Sequence, residues 1–144
     1  MISYKTDPSL TSADLNALFS AERDEPETSD WSGVLKHSLV VICAYDGERL
    51  VGFIHIAWDG RDHAFVLDPR VHPDWRHKGI GTELLRRSAN AARAAGCETL
   101  HVDFRDDLAP FYFEACGFRS TPAGLIYLQN GSGPLPWPER AETK

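Results

Sequence analysis

Residues 71–85 read VHPDWRHKGIGTELL and connect a strand-like segment to the start of a long helix. Apolar and small side chains recur at helical spacing over residues 79–95, and Gly96 follows as a C-terminal stop. The first N–H groups of a helix have no intrahelical partner, and the helix dipole favours negative charge at that end. Gly79 and Gly81 leave room for a phosphate to reach these groups. The stretch therefore predicts an anion-binding site, to which four neighbouring side chains can add charge or hydrogen bonds: Arg76, His77, Lys78 and Thr82.

Two common phosphate-binding motifs do not match this stretch. A P-loop requires Gly-Lys-Ser/Thr four residues after a glycine, and the dinucleotide fingerprint requires a third glycine. The pattern of Arg76, Gly79 and Gly81 alone is equally consistent with an ordinary helix start that has basic flanks. The choice between an anion-binding site and an ordinary helix start therefore depends on the rest of the sequence.

The surrounding segments predict an α/β mixture whose first half is antiparallel. Two apolar runs, 39–45 and 50–58, flank Asp46-Gly47, which is a strong signal for a β-hairpin. A strand over 64–71, the helix over 79–95 and a strand over 100–104 form a unit that requires a parallel pair and a right-handed crossover. Pro69 cannot pair in a ladder and predicts a bulged or unpaired place in the third strand. The remaining predictions are a strand over 2–5, a helix beginning at Thr11 or Ser12, a loop or short helix over 24–33, a short helix over 108–116 and a last strand over 125–128.

The composition is ordinary for one soluble domain. The chain has 144 residues, a formal net charge of −6, 42% hydrophobic residues and 25% charged residues, which excludes a mainly disordered chain. Its longest apolar run has seven residues, and the N-terminus lacks the pattern of a signal peptide. We therefore expect a cytoplasmic protein without membrane contact, with one domain over 1–129 and a Gly/Pro-rich tail over 130–144. Three scattered cysteines and no histidine pair at ligand spacing predict neither a disulfide framework nor a metal site.

The charge is unevenly spread along the chain. Residues 1–30 hold seven Asp or Glu against two Lys or Arg, whereas residues 70–93 hold six Lys or Arg against two Asp or Glu. Either both segments are solvated faces, or they form two electrostatically different halves of one site. The acidic balance of the whole chain argues against nucleic acid as a partner.

The anion-binding stretch resembles the acyl-CoA pyrophosphate-binding motif of the GNAT family of N-acetyltransferases. The resemblance rests on Val71-x-Pro73-x-x-Arg76-x-x-Gly79-Ile80-Gly81, followed by two leucines. A second segment over 109–118, APFYFEACGF, is similar to the family's aromatic-Tyr and Gly-Phe signature. Gly81 and Tyr112 are 31 residues apart, which leaves room for one helix, one strand and one turn. The resemblance implies a mixed α/β sheet with an antiparallel N-terminal half and a splayed parallel strand pair that is joined by the long helix.

The resemblance also implies acetyl-CoA as co-substrate. The backbone of residues 76–81 would cradle its pyrophosphate, and a backbone N–H on the strand that ends at Val71 would be the oxyanion donor. Tyr112, in line with the family, would be the general acid, because a phenol of pKa about 10 can protonate a thiolate whose conjugate acid has a pKa of about 8.5. The alternative is a core tyrosine that packs between Phe111 and Phe118.

The chain departs from the family pattern at Arg105, at the neighbouring Asp106-Asp107 and at Pro110. The family often has an asparagine seven residues before the tyrosine, and this chain has Arg105 there. Pro110 lies in the first turn of the predicted short helix, where a proline costs little because the missing N–H has no partner. The way in which the pantetheine arm is held is therefore left open.

Deprotonation of the acceptor requires a base, because an amine of pKa about 10.4 is almost fully protonated at pH 7. The candidates are Asp68, which precedes Val71 by three residues, and His101 or Asp103 at alternate positions of the second parallel strand. Asp68 is equally a candidate for holding a turn or contacting the acceptor. Cys116 has no His–Asp context, so we interpret it as a small buried residue.

We expect a primary amine as acceptor, either a small cationic molecule or a peptide. Acidic residues at 22, 24, 25, 27 and 30, together with Trp31, would attract a cation and offer an aromatic wall. The alternative function is a non-catalytic acyl-CoA-binding sensor that keeps the predicted pyrophosphate-binding backbone of residues 76–81, which we call the phosphate loop. Since dimers are common in the family, a homodimer is a further expectation.

Overall fold

The computed structural model describes residues 1–128, in which five strands form one mixed sheet in the order β1-β2-β3-β4-β5. The strands are β1 (Ile2–Thr6), β2 (Val40–Asp46), β3 (Arg49–Trp58), β4 (His63–Val71) and β5 (Thr99–His101). Neighbours from β1 to β4 are antiparallel, whereas β4 and β5 are parallel. The predicted hairpin is confirmed: Asp46 pairs with Arg49, and Gly47 has a φ of 62°, as a tight turn between them requires.

Helices cover both faces of the sheet. The elements are α1 (Ser12–Phe19), α2 (Ser32–His37) and α3 (Ile80–Ala94). Thr11 caps α1, because its hydroxyl accepts from the N–H of Asp14 at 3.1 Å while the Asp14 carboxylate accepts from the N–H of Thr11. One buried cluster joins α3 to the side chains of alternate β2, β3 and β4 positions, and a second cluster joins α1 and Trp31 to the opposite face. Two hydrophobic layers therefore enclose the sheet.

Gly52 of β3 lets α3 approach the sheet closely. A Cβ at this position would lie 3.1 Å from the Cβ of Ala44 and 3.2 Å from side-chain carbons of Ile80 and Leu84. Ile80 is the first residue of α3, so the absent side chain at Gly52 sets the position of that helix start.

The parallel strands diverge after a short pairing. His63, Ala64 and Phe65 of β4 pair with residues 99–101, after which β5 ends while β4 continues to Val71. The β3–β4 register shifts between Phe53 and His55, which places two residues of β4, Asp68 and Pro69, opposite one residue of β3. The predicted bulge is therefore confirmed, and the open edge of β4 faces the gap between the diverging strands.

Three sequence expectations for the C-terminal third are wrong in detail. Residues 125–128 form no strand and lie exposed, because β-propensity gives no strand without a neighbour to pair with. The second parallel strand ends at His101 rather than at 104. The predicted helix over 108–116 is a 3-10 turn (Asp106–Leu108) followed by a π-helix (Pro110–Ala115), since Pro110 has no N–H to continue the preceding turn. The predicted tail over 130–144 lies outside the described residues.

Candidate active site

The loop between β4 and α3 presents a concave row of backbone donors. After a 3-10 turn (Pro73–Trp75), His77 and Gly79 have φ angles of 61° and 82°. This left-handed conformation is rare for a residue other than glycine, so His77 is a strained position. The first hydrogen bond of α3 runs from the N–H of Glu83 to the carbonyl of Gly79 at 3.1 Å. The N–H groups of residues 80–82 therefore precede the helical ladder and are available to an anion.

Gly81 connects this loop to the second sequence motif. A Cβ at Gly81 would lie 3.2 Å from Cζ of Phe111 and 3.9 Å from Cγ2 of Val71. The absent side chain thus lets the aromatic ring pack against the first turn of α3. Because Phe111 belongs to the π-helix, the loop and the segment that carries Tyr112 are held against each other.

These elements line a cavity of about 810 Å³. Its wall contains Pro69 and Val71 of β4, the first turn of α3, Phe111 and Tyr112. Of the eight predicted cofactor-binding residues, only the exposed Lys78 lies outside this wall. The other seven line it: Val71, Arg76, His77, Gly79, Ile80, Gly81 and Thr82. Its volume is within the range of about 300–1,000 Å³ typical of ligand sites. An acyl-CoA fits the donor set, because the free N–H groups and Arg76 suit a pyrophosphate and the gap beside β4 suits a narrow arm.

An acidic side chain already contacts the basic loop. Glu22 accepts from Nη1 of Arg76 at 2.9 Å and from Nη2 at 2.6 Å, and its Oε1 also accepts from Nη1 of Arg70 at 3.2 Å. The hydrogen bond from Arg76 lowers the pKa of the Glu22 carboxyl below its usual value. Arg76 also donates from Nε to the carbonyl of Val71. These contacts orient the arginine along the cavity wall.

Tyr112 is buried among aromatic rings at the cavity wall. Its ring stacks on Phe104 with the centroids 4.5 Å apart and meets Phe111 and Phe118 edge-on. Burial raises the pKa of the Tyr112 phenol, and the charges of Cys116 and Asp103 raise it further. The side chain thus packs in a core-like manner and also faces the cavity, so both sequence interpretations of Tyr112 describe part of its surroundings.

The structure separates the three candidate bases. Asp68 has a φ of 50° at the bulge, directly before the cavity residue Pro69, and its Oδ2 lies 2.8 Å from Nε2 of His55. Asp103 is exposed, and its charge acts on Tyr112. His101 contacts the ring of His63 at 3.0 Å. None of the three candidates is among the residues that line the cavity, although Asp68 directly precedes the lining residue Pro69.

Two expectations about the acceptor side need correction. Trp31 is buried in the core, 7% exposed, and its Nε1 donates to Asn16, so it offers no aromatic wall to a ligand. Three of the five acidic residues have partners within the fold. Glu22 pairs with Arg76 and Arg70, Glu27 pairs with Arg23, and Asp30 accepts hydrogen bonds from Ser32.

Two side-chain contacts near the cavity have no counterpart in the sequence analysis. The sequence around His55 does not point to Asp68 as a partner, because 13 residues separate the two. Glu22 and Arg76 are 54 residues apart in the sequence, so their opposite charges were the only signal that could have predicted the ion pair. Among residues 1–128, no group of three or more His, Cys, Asp or Glu side chains could hold a metal ion, and no helix is long and apolar enough to cross a membrane.

Comparison with known proteins identifies the family. The sequence model of the Acetyltransferase (GNAT) family matches residues 9–118. An uncharacterized N-acetyltransferase of Porphyra purpurea is 30% identical over 95 residues, which is 63% of this chain and 54% of that protein. The chain thus spans about half the length of this curated relative.

Solved structures share the fold. A GNAT-family acetyltransferase from Streptococcus pneumoniae TIGR4 has a TM-score of 0.75 at 23% identity, covering 90% of this chain and 99% of that one. AAC(6')-Iy, solved with the bisubstrate analogue CoA-S-monomethyl-acetylneamine, has a TM-score of 0.68 at 15% identity, covering 90% and 98%. Because the family model matches residues 9–118, more than half of its length, the chain belongs to the GNAT acetyltransferase family.

Proposed function

We propose that this protein transfers an acetyl group from acetyl-CoA to a primary amine, on a small cationic molecule or a peptide, by direct attack of the amine. One observation carries the proposal: the phosphate loop and the Tyr112 phenol line the same cavity, beside the gap between β4 and β5. If the start of α3 binds the pyrophosphate of acetyl-CoA, the thioester would lie along the open edge of β4, in the cavity that Tyr112 lines.

The chain's own groups supply the binding interactions for the donor. The N–H groups at the start of α3 and the guanidinium of Arg76 bind the pyrophosphate. Backbone groups on the open edge of β4, up to Val71, are the candidates to bind the arm and to donate to the developing oxyanion. When bound, acetyl-CoA supplies the activated acyl group.

Tyr112 is the proposed general acid. Because burial raises the pKa of its phenol, Tyr112 stays protonated across the neutral pH range and can give its proton to the leaving thiolate. Stacking on Phe104 and edge contacts with two other rings restrict the phenol to one orientation. This rigidity favours proton transfer to one place in the cavity.

The acceptor is proposed to approach Asp68. This carboxylate is half exposed at the bulge, next to the cavity, and it attracts an ammonium group. The resemblance in fold to AAC(6')-Iy, which was solved with a bisubstrate analogue, supports a site that admits donor and acceptor together. The acidic residues at 24 and 25 are exposed and remain candidates for longer-range attraction.

The test is loss of thioester absorbance when acetyl-CoA is mixed with polyamines, aminoglycosides, amino acids or peptides. A direct optical readout is preferable to a thiol reagent, since Cys97 and Cys116 are only half-buried. We expect Tyr112→Phe to lower kcat by about 10²–10⁴-fold while coenzyme A binding stays within twofold. Wild-type turnover by Tyr112→Phe would remove the phenol from the mechanism. Tight coenzyme A binding without turnover for any amine would favour the sensor function instead.

A further inference from the structure

A buried histidine connects the bulge of β4 to the end of α2. His55 is 4% exposed, with its Nδ1 3.1 Å from Oγ of Ser38 and its Nε2 2.8 Å from Oδ2 of Asp68. Ser38 in turn lies 2.8 Å from the carbonyl oxygen of Val34. The ring of Phe53 packs beside the imidazole with the centroids 5.7 Å apart. A continuous chain of polar contacts thus runs from α2 across the sheet face to Asp68, the residue directly before the cavity-lining Pro69.

The bulge is what brings Asp68 to this histidine. His55 pairs with Leu67, and the extra residue of β4 begins directly afterwards. Asp68 has a φ of 50° and precedes Pro69, a combination that is disfavoured because a residue before proline avoids helical conformations. Such a strained backbone persists only where surrounding contacts maintain it. The hydrogen bond between Asp68 and His55 is such a contact.

Counting protons fixes the donor in this bond. The Ser38 hydroxyl has one proton and two acceptors, the Val34 carbonyl and Nδ1 of His55. If Ser38 donates to Nδ1 of His55, the neutral ring has its proton on Nε2. If Ser38 donates to Val34 instead, His55 donates to Ser38 from Nδ1 and also needs a proton on Nε2 to meet Asp68, so both ring nitrogens are protonated. Without a proton on Nε2, two hydrogen-bond acceptors, Nε2 of His55 and Oδ2 of Asp68, would lie 2.8 Å apart. Both satisfied arrangements therefore have Nε2–H donating to Oδ2 of Asp68, which leaves Oδ1 for another donor.

We propose that His55 is a positioning residue that aims Oδ1 of Asp68 at the acceptor amine, and that this oxygen takes the proton that the amine must lose. The inference rests on the proposed acetyl transfer. Asp68 is the catalytic residue of the pair, and His55, with Ser38 behind it, acts through Asp68. The nearby charges are Arg70, which couples electrostatically to Asp68, and Glu22, which pairs with Arg70.

In the proposed transfer Asp68 takes up one proton from the acceptor, and Tyr112 gives up one proton and regains another. An ammonium N–H bond breaks and its proton moves to Oδ1 of Asp68, after which the neutral amine forms an N–C bond at the thioester carbonyl. The C–S bond breaks with its electron pair on sulfur, and Tyr112 gives its proton to that sulfur. The Tyr112 phenolate regains a proton from the nitrogen as the amide forms. Asp68, which is half exposed, releases its proton to solvent, so one proton leaves per turnover.

The experiment compares His55→Phe, His55→Gln, Asp68→Asn and the His55→Phe/Asp68→Asn double variant. We expect Asp68→Asn to lower kcat by about 10²-fold or more and His55→Phe by about 10-fold or more, with the KM for acetyl-CoA unchanged. Gln keeps an N–H donor near the position of Nε2, so His55→Gln should recover most of kcat. The kcat of the double variant should be no lower than that of Asp68→Asn, because His55 acts only through the Asp68 carboxylate, which both variants lack. His63→Gln, which changes an exposed imidazole of β4, is the matched control and should keep wild-type kcat.

Three results would overturn the inference: a His55→Phe enzyme within twofold of wild-type kcat, independent losses that multiply in the double variant, or no recovery in a folded His55→Gln. If His55→Phe does not fold, the Gln variant and Ser38→Ala carry the comparison. NMR of the His55 ring adds a structural readout, because a slowly exchanging Nε2–H signal should vanish in Asp68→Ala, which removes the acceptor oxygen. Wild-type enzyme without turnover for any amine would refute the proposed function, whereas turnover with a fast His55→Phe refutes this inference alone.

Discussion

Replacing Gly52 by alanine tests whether the sheet sets the position of the phosphate loop. The new Cβ would lie 3.1 Å from the Cβ of Ala44, which is attached directly to the backbone of β2 and cannot rotate away. It would also lie 3.2 Å from carbons of Ile80 and Leu84. Ordinary contacts between such carbons are about 3.5–4.0 Å. Either β2 or α3 must therefore move by several tenths of an ångström.

The expected loss of stability is modest and its sign follows from two opposing effects. Overpacking of a well-packed core costs about 1–3 kcal/mol. Alanine is favoured over glycine in a strand interior by about 0.5–1 kcal/mol. The free energy of unfolding should therefore fall by about 1–2 kcal/mol, which lowers the Tm of a chain of this length by about 3–8 °C. Since Ile80 is the first residue of α3, coenzyme A affinity should fall as well.

The assay is thermal unfolding together with titration calorimetry of coenzyme A. Gly33→Ala is the matched control, because nothing lies within 4 Å of a Cβ at that helical position. The control should melt at or slightly above the wild-type Tm. A Gly52→Ala protein that melts as high as the control would refute the packing argument. A destabilised protein with unchanged affinity would refute the link between Gly52 and the loop.

Three further changes test the cavity wall and its charges. Gly81→Ala places a Cβ 3.2 Å from the ring of Phe111, so coenzyme A affinity should fall about tenfold by calorimetry; unchanged affinity would mean that the ring moves aside without consequence. Glu22→Gln removes the carboxylate that pairs with Arg76, and coenzyme A should then bind about two- to fivefold more tightly, whereas weaker binding would show that the pair organises the loop. Two neighbouring arginines lower the pKa of Glu83 to about 2, below its unfolded value, so the stabilisation is complete above about pH 4.3 and is lost as the pH falls towards 2. Between pH 5 and 2 the wild-type Tm should fall more steeply than that of Glu83→Gln, and parallel curves would contradict the ion pairing.

Local signals predicted the parts of this fold that depend on short stretches of chain. The Asp46-Gly47 turn, the capping residue Thr11 and the glycines at 79 and 81 each act within a few residues, and the structure has the corresponding turn and helix starts. Pro69 predicted the bulge because the missing N–H is a property of the residue itself.

Such local signals could not predict the contacts between segments that are distant in the sequence. The pairing of His55 with Asp68 depends on the β3–β4 register, and that register is shifted by the bulge. Trp31 follows an acidic, proline-containing stretch that favours an exposed loop, but α1 and β3 enclose its ring in the core. Residues 125–128 have the composition of a strand, and composition alone does not provide the neighbour that a strand needs.

The π-helix before Cys116 makes the length of this segment a constraint in its own right. Its hydrogen bond from the N–H of Cys116 to the carbonyl of Phe111 spans five residues, and the next bond joins the N–H of Phe118 to the carbonyl of Tyr112 at 2.9 Å. Deleting one residue here would restore an α-helical turn and rotate everything beyond the deletion by about 100° relative to Tyr112. The effect of a substitution between Pro110 and Ala115 therefore depends on the size and polarity of the new side chain. A single-residue deletion instead changes the direction in which the chain continues beyond this segment. Redesign of this segment should keep its residue count before it keeps its residue types.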